Sequence, residues 1–262
     1  MDKLQCVALC SIGKERKVNQ DNFYLNGIYK GKSEEMFFEQ DIQEAAGNYV
    51  YAVVDGMGGL CYGEDAAYTA VSELKKYVDD KRKGNKVISV RRAIQHMNRA
   101  VCILGRERKA PVGSTATILK YQNKKVRIYN VGDSKAYLFR EGSMRQLSVD
   151  HTEKESFMRM KEEMGMTDFI FSGNGLTQYL GVEEDEFLLE PGVTENIDIE
   201  EQDIFLLCSD GLTGMVDTKD ILQVMIEPIA LETKAKKLEQ IAMDAGGKDN
   251  ITILLLALCE TR

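Results

Sequence analysis

The chain has 262 residues, 44% of them hydrophobic, and a net charge of −8. That length suits one large domain or two small ones, and the acidic balance excludes a general binder of nucleic acid or of anionic membranes. Six cysteines (Cys6, Cys10, Cys61, Cys102, Cys208, Cys259) form no CxxC pair and sit mostly in apolar runs, which predicts buried, reduced thiols in a cytoplasmic protein. No signal-like segment opens the chain, and its longest apolar run, ITILLLALC, is too short to span a bilayer.

In chain order, strand-like runs appear first at Gln5–Ser11 and at Tyr49–Val54, which ends directly on Asp55. Ala66, Ala67, Ala70, Val71, Leu74 and Val78 share one face of a helix from about Gly63 to Asp79. The basic run Lys81–Lys86 then reads as an exposed loop, and Val90, Ile94, Met97, Val101 and Leu104 mark a second helix. Ser114–Tyr121 and Lys125–Asn130 flank a polar turn as a hairpin, and Ala136–Arg140 returns beside them. Asp203–Ser209 and Asn250–Cys259 are near-continuous apolar runs, the pattern of strands buried on both faces. Between them, Thr213–Ile226 holds a short helix capped by Asp217 or Thr218. A third apolar stripe, Ala235–Ala242, stops at Gly246-Gly247. Strands thus pair with partners distant in sequence. The expected class is α+β, an antiparallel sandwich with helices outside it, not an alternating parallel fold.

Five aspartates stand at strand-to-turn junctions: Asp21 in NQDN, Asp55 in VVDGMGG, Asp133 in NVGDSKAY, Asp210 in LLCSDGL and Asp249 in GGKDN. Carboxylates are rarely buried unless paired or metal-bound, because desolvating the charge is expensive. Five spread along the chain predict one acidic pocket for hard cations, and if they meet in space the chain is one domain. All-oxygen ligands with only two histidines in the chain, His96 and His151, point to Mg²⁺ or Mn²⁺, not Zn²⁺. In Asp55-Gly56-Met57-Gly58-Gly59 the glycines let backbone approach the bound group, and the Gly56 carbonyl is a candidate ligand. Arg16, five residues before Asp21, is a candidate phosphate grip.

Eight segments occur in order along nearly the whole chain: GKERKVNQDN, VVDGMGG followed by GED, GSTAT, NVGDSKAYL, LSVDHT, LTQYLG, LLCSDGL and GKDNIT. Together they resemble the protein phosphatase 2C family, the metal-dependent protein serine/threonine phosphatases, in its bacterial form. The resemblance implies one catalytic domain over residues 1–262, with two antiparallel sheets as a central sandwich and helices on both outer faces, an α-β-β-α layering. It implies a phosphoprotein phosphatase of signalling that hydrolyses phosphoserine and phosphothreonine by attack of a hydroxide bridging two Mn²⁺ or Mg²⁺ ions. By that likeness Asp55 bridges both ions, Gly56 binds through its carbonyl, and Asp210 and Asp249 complete the first ion's shell. Asp21 sits beside the second ion through bound water, Asp133 belongs to a third, weaker metal, and Arg16 holds the substrate phosphate. The implied setting is a cytoplasmic monomer that opposes a serine/threonine kinase, with no nucleic acid or membrane as partner. The alternative is a catalytically weak pseudophosphatase, or a phosphoprotein-binding regulator, of the same fold.

Departures from the family pattern carry chemistry. Met57 stands where many eukaryotic relatives have a histidine and cannot supply a proton; Gln20 replaces a glutamate, and Lys135 an arginine. His151 is expected to organise its loop rather than to act as the acid. Thr152–Gly175, the least family-like stretch, corresponds to a flap in bacterial relatives; its methionines (Met158, Met160, Met164, Met166) and Phe157, Phe169 and Phe171 are read as packing a short helix onto the core. The acidic stretch Glu183–Asp203 is read as a solvated edge near the metal pocket.

Overall fold

A computed structural model describes residues 2–57, 62–165, 173, 175–183 and 188–259. The first strands are β1 (Lys3–Ser11), β2 (Asp21–Leu25), β3 (Met36–Glu44) and β4 (Asn48–Asp55), followed by helices α1 (Gly63–Lys83) and α2 (Val90–Arg108). Next come β5 (Ala116–Gln122), β6 (Lys125–Val131), β7 (Lys135–Arg140), β8 (Ser143–Gln146) and α3 (Glu153–Met164). The remainder is β9 (Gly192–Val193), β10 (Ile197–Asp198), β11 (Ile204–Cys208), α4 (Asp210–Thr213), α5 (Thr218–Ile226), α6 (Leu231–Asp244) and β12 (Ile251–Cys259).

The strands form two antiparallel sheets, one in the order β3-β1-β12-β11-β7-β8, the other β10-β6-β5-β4-β2 with β9 also on β6. Alternation along each strand divides the core. Cys6, Ala8 and Cys10 of β1 face Phe23, Tyr51, Val53 and Leu119 of the other sheet, while Val7 points outward. That outer face is covered by Ile221, Val224 and Met225 of α5 and by Ala235, Leu238 and Ala242 of α6. On the opposite side, Ala66, Ala70, Val71 and Leu74 of α1 and Ala93, Ile94, Met97 and Val101 of α2 cover Val50, Ala52, Val54 and Ile118. The layering is α-β-β-α, as the resemblance implies. Burying a Val, Leu or Ile side chain contributes about 1.5–3 kcal/mol, so these three apolar layers supply most of the folding drive.

The helices follow the periodicity, with differences at their ends. α1 runs on to Lys83, so Lys81 and Arg82 are helical rather than loop; basic residues in a last turn complement the helix dipole. Asp217 occupies the N-cap position of α5 without a side-chain cap hydrogen bond. Among the described residues Cys6, Cys10, Cys102 and Cys208 are buried thiols outside any disulfide, and Cys259 is half-buried; Cys61 lies outside the described residues. The helix α3 forms but buries none of its residues, contrary to the expected packing onto the core. Its Met158, Met160 and Met164 are exposed, and Met166, Phe169 and Phe171 lie outside the described residues. A Thr152 cap, which accepts from the Glu155 amide at 3.1 Å, holds the helix locally instead.

The acidic stretch also differs from expectation. Asp198 lies on an edge strand near the β5–β6 turn. Asp203 begins the run that reaches the site only at its other end; it is 0% exposed, and Arg140 holds both of its oxygens, at 2.7 and 2.6 Å. Removing one partner of such a pair leaves a buried charge unmatched. Arg140→Ala is therefore expected to lower stability by about 3 kcal/mol, measured as a shift of the urea midpoint; an unchanged midpoint would contradict the pairing.

Candidate active site

Strand register gathers the aspartates. Antiparallel pairing of β2 with β4 sets Asp21 directly opposite Asp55. Pairing of β11 with β7 sets Cys208 opposite Lys135, so the chain leaves the same sheet edge toward Asp210 on one strand and comes from Asp133 on the other. β12 enters at Ile251, opposite Ser11, with Asp249 just ahead of it. All five carboxylates therefore lie at one end of the sandwich. The loop after β1 carries Arg16 to that end, where its Nη2 donates to Asp249 Oδ2 at 2.6 Å.

Backbone crowding explains two of the glycines. A Cβ on Gly56 would lie 2.1 Å from the Gly63 carbonyl oxygen and 2.7 Å from that of Gln20. A Cβ on Gly211 would lie 1.9 Å from the Asn250 oxygen. Only glycine permits such approach, which draws the two Asp-Gly turns against the neighbouring strands.

A set of polar side chains pins the Asp21 carboxylate and the turns that bear its neighbours. Ser209 Oγ and Thr252 Oγ1 each donate to Asp21 Oδ2 at 2.7 Å. Asn250 Nδ2 donates to the Ile12 and Val18 carbonyls at 2.8 and 3.1 Å, and its Oδ1 accepts from the Gln20 amide at 2.8 Å, tying down the Arg16 loop. Around Asp55, Ser114 Oγ donates to its carbonyl at 2.8 Å and its amide donates to Thr115 Oγ1 at 3.0 Å. Thr115 Oγ1 meets Ser134 Oγ at 2.8 Å, linking this turn to the one that bears Asp133. Behind it, the His151 amide donates to the Gly132 carbonyl at 3.0 Å, and Nδ1 accepts from the Gly132 amide at 3.2 Å. A ring nitrogen that accepts is unprotonated, so His151 is neutral and braces the Asp133 turn.

His151 organises its loop as the sequence suggested, whereas the hydroxyl and amide supports were missed. Ser209 and Thr252 carried a signal, as hydroxyls within apolar strand runs beside the aspartates. Lys30 carried none. It is 0% exposed, and its ammonium donates to the Asn19 and Gly31 carbonyls at 3.3 and 3.5 Å, steadying the segment before Asp21.

The carboxylates repel one another. Burial first, then the charges of Asp210 and Asp249, pushes Asp21 up to about 7 against its two hydroxyl donors. Burial, followed by Asp21, Asp210 and Asp133, raises Asp55 well above the usual carboxylate range. Asp133 is pushed up to about 6 by burial and then by Asp210. Asp210 opens to solvent on one side, yet desolvation and then Asp249 raise it, opposed by a hydrogen bond with Asp55 and by Arg16 and Lys135. Among the described residues no group of three or more His, Cys, Asp or Glu side chains is already gathered as a metal cage. The donor set still fits hard divalent cations: it is all oxygen, carries excess negative charge at one point, and includes the backbone of a glycine turn held open by close packing.

A carboxyl whose folded pKa exceeds its unfolded value takes up protons on folding. Its penalty is full above the folded pKa and fades as pH falls toward the unfolded value. For Asp21 and Asp133 that window runs from about 7 down to about 4. In EDTA the melting temperature is therefore expected to be higher at pH 5.5 than at 7.5, with a smaller difference in Asp21→Asn and a rise on adding Mn²⁺ at pH 7.5. A melting temperature in EDTA that climbs from pH 5.5 to 7.5 would contradict this.

Known proteins share both the sequence pattern and the architecture. The chain is 27% identical over 214 residues to the serine/threonine protein phosphatase PstP of Mycobacterium tuberculosis, covering 80% of this chain and 40% of that protein. It is 29% identical over 261 residues to the protein phosphatase PhpP of Streptococcus pneumoniae, covering 96% of each. The chain thus spans about two fifths of the first relative's length and nearly all of the second's. Among solved structures, the catalytic domain of PstP in complex with two manganese ions superposes with a TM-score of 0.74 at 24% identity, covering 99% of this chain and 100% of that one. The model of the protein phosphatase 2C family matches residues 24–251, which include Asp55, Asp133, Asp210 and Asp249 and most of both sheets, and the chain belongs to that family.

Proposed function

We propose that residues 1–262 form a single catalytic domain that hydrolyses phosphoserine and phosphothreonine in proteins, using two Mn²⁺ or Mg²⁺ ions to activate water. The observation that carries this reading is the convergence of Asp21, Asp55, Asp210 and Asp249 beside Arg16, a set of repelling carboxylates facing one cationic grip. Asp55 would bridge the two ions, Gly56 would contribute its carbonyl, and Asp210 and Asp249 would complete one ion's shell. Asp21 would act beside the other through water, and Asp133 would serve a third, weaker site. Bound there, the cations would bring the pKa of a water toward neutrality and offset charge on the phosphoryl oxygens.

The residues themselves do the rest. Arg16 donates to Asp249; were that carboxylate engaged by a cation, its guanidinium would be free to hold a phosphoryl group bidentately. Ser209 and Thr252 fix the Asp21 carboxylate, so that it need not reorganise during the reaction, and Thr115 holds the backbone from which Asp55 projects. Met57 cannot protonate the leaving alkoxide, and His151 is engaged by Gly132, so the proton comes from water. The setting that suits this chemistry is a cytoplasmic monomer acting on the phosphoproteins of a serine/threonine kinase. Among the described residues no helix is long and apolar enough to cross a membrane.

Hydrolysis of p-nitrophenyl phosphate and of a phosphothreonine peptide tests the reading. Activity is expected with Mn²⁺ and not with EDTA, and to fall on the order of 100-fold or more in Asp55→Ala and Asp210→Ala. Arg16→Ala should lower kcat/KM roughly 10- to 100-fold, the loss of a charged hydrogen bond. Metal-independent turnover, or full activity in both aspartate variants, would overturn the proposal. Mn²⁺ binding without turnover of any phosphopeptide would favour a phosphoprotein-binding module. For the proton, Met57→His is expected to add an ionisation near neutral pH to the pH–rate profile; an unchanged profile would place the donor away from this position.

A further inference from the structure

At the other end of the helix-facing side of the second sheet, α1 and α2 no longer cover the strands. There a cleft of about 380 Å³ opens on β5 and β6, lined by Lys120, Gln122, Lys125, Arg127, Tyr129 and Asn196. Strand rise puts it roughly 15–20 Å from the acidic end of the same two strands. Its wall comes from a break in the edge ladder. β9 leaves β6 after pairing with Tyr129, β10 rejoins at Val126, and the residues between carry Asn196 into the cleft.

Among the described residues, three cations and no acid line this cleft. Lys120 and Arg127 stand directly opposite each other in the β5–β6 register, where like charges destabilise a strand pair. Neither has a carboxylate partner among the described residues. Lys120 Nζ donates to the Ile88 carbonyl at 3.0 Å, and Arg127 Nε donates to the Thr194 carbonyl at 2.8 Å. These two bonds aim the side chains, and among the described residues the other ammonium hydrogens of Lys120 and both terminal amines of Arg127 meet no further partner. The Arg127 guanidinium also rests by the Tyr129 ring, 5.9 Å from its centroid, which restricts its plane. Lys125 is neutralised by the exposed Asp198, at 3.0 Å, and contributes less. Burial, and then Arg127, lowers the pKa of Lys120, so the pair stands uncompensated in the protein alone.

We propose that this cleft binds a phosphate-class dianion, with Arg127 gripping two oxygens, Lys120 a third, and the Gln122 and Asn196 amides at the rim. A planar guanidinium beside an ammonium matches a tetrahedral oxyanion, and the cleft is larger than one phosphate, leaving room for the group to which it is attached. The same chemistry comes from inorganic phosphate or from a phosphorylated side chain of a docked protein. The site is separate from the acidic end and from the reaction proposed there.

The experiment uses the full chain as Asp210→Ala in EDTA, which silences turnover and cation-assisted phosphate binding. Inorganic phosphate and a phosphothreonine peptide are titrated separately, with binding followed by calorimetry and by amide NMR shifts of β5 and β6. Saturable binding that weakens with salt is expected, reduced at least 10-fold in Lys120→Gln/Arg127→Gln. Equal affinity for both ligands would identify free phosphate as the source; tighter peptide binding would identify a phosphorylated partner. In the Asp210-intact protein the same pair of substitutions is expected to leave Mn²⁺-dependent hydrolysis of p-nitrophenyl phosphate unchanged, which separates this site from the reaction. Fold is checked by melting, and Lys120→Gln alone should reduce affinity several-fold should the double variant melt early. No saturable binding of either ligand, or binding unaltered by the substitutions, would overturn the proposal.

Discussion

Asp21 and Asp55 face each other across β2 and β4, and that opposition of like charges is the constraint around which the rest of the site is arranged. Directly opposed like charges destabilise a strand pair, and here two further carboxylates, Asp210 and Asp249, add to the same field. Proteins remove such a conflict by protonation, by pairing or by a cation. Burial and mutual repulsion raise the pKa of Asp21 and Asp55, which favours protonation, and Asp249 is paired with Arg16. Divalent cations would satisfy all of the carboxylates at once, and would do so without waiting for a proton.

The fold supplies the stiffness that keeps these charges together. Three apolar layers lock both sheets, so the strand ends cannot drift apart to relieve the repulsion. Side-chain hydroxyls and Asn250 then tie the turns to the ends of the strands. The loop that carries Arg16 gains its position from the helix end at Gly247, whose carbonyl accepts from the Lys14 amide at 2.7 Å, and from Asn250. In the proposed reading stability and function are coupled through the same residues: the packed core holds an unfavourable cluster in place, and cations would turn that cluster to use.

Much of this was legible in the sequence, for identifiable reasons. The buried runs of β11 and β12 and the stripes of α1, α2 and α6 have strong apolar periodicity, and each Asp-Gly turn is written beside its strand. The strand β3 escaped notice because MFFEQDIQE alternates too irregularly between apolar and charged residues to reveal its pairing with β1. β2 was hidden by its brevity, and β9 and β10 by having two residues each. Helix α3 has enough methionine to resemble a core helix, but its Met158, Met160 and Met164 stay exposed. Pairwise relations across the chain were beyond reach as well. Nothing local to Lys30, Thr252 or Lys120 says which carbonyl, carboxylate or cation will lie opposite once the sheets form.

Opposed aspartates that form a cation site, and are not a structural accident, bind divalent ions in fixed number. Equilibrium dialysis with Mn²⁺ at pH 7.5 counts the ions directly. Two ions per chain are expected at saturation, with both lost or greatly weakened in Asp55→Asn, and no change in Lys120→Gln. Fewer than one ion bound per chain, or the same number in Asp55→Asn as in the wild type, would contradict such a site.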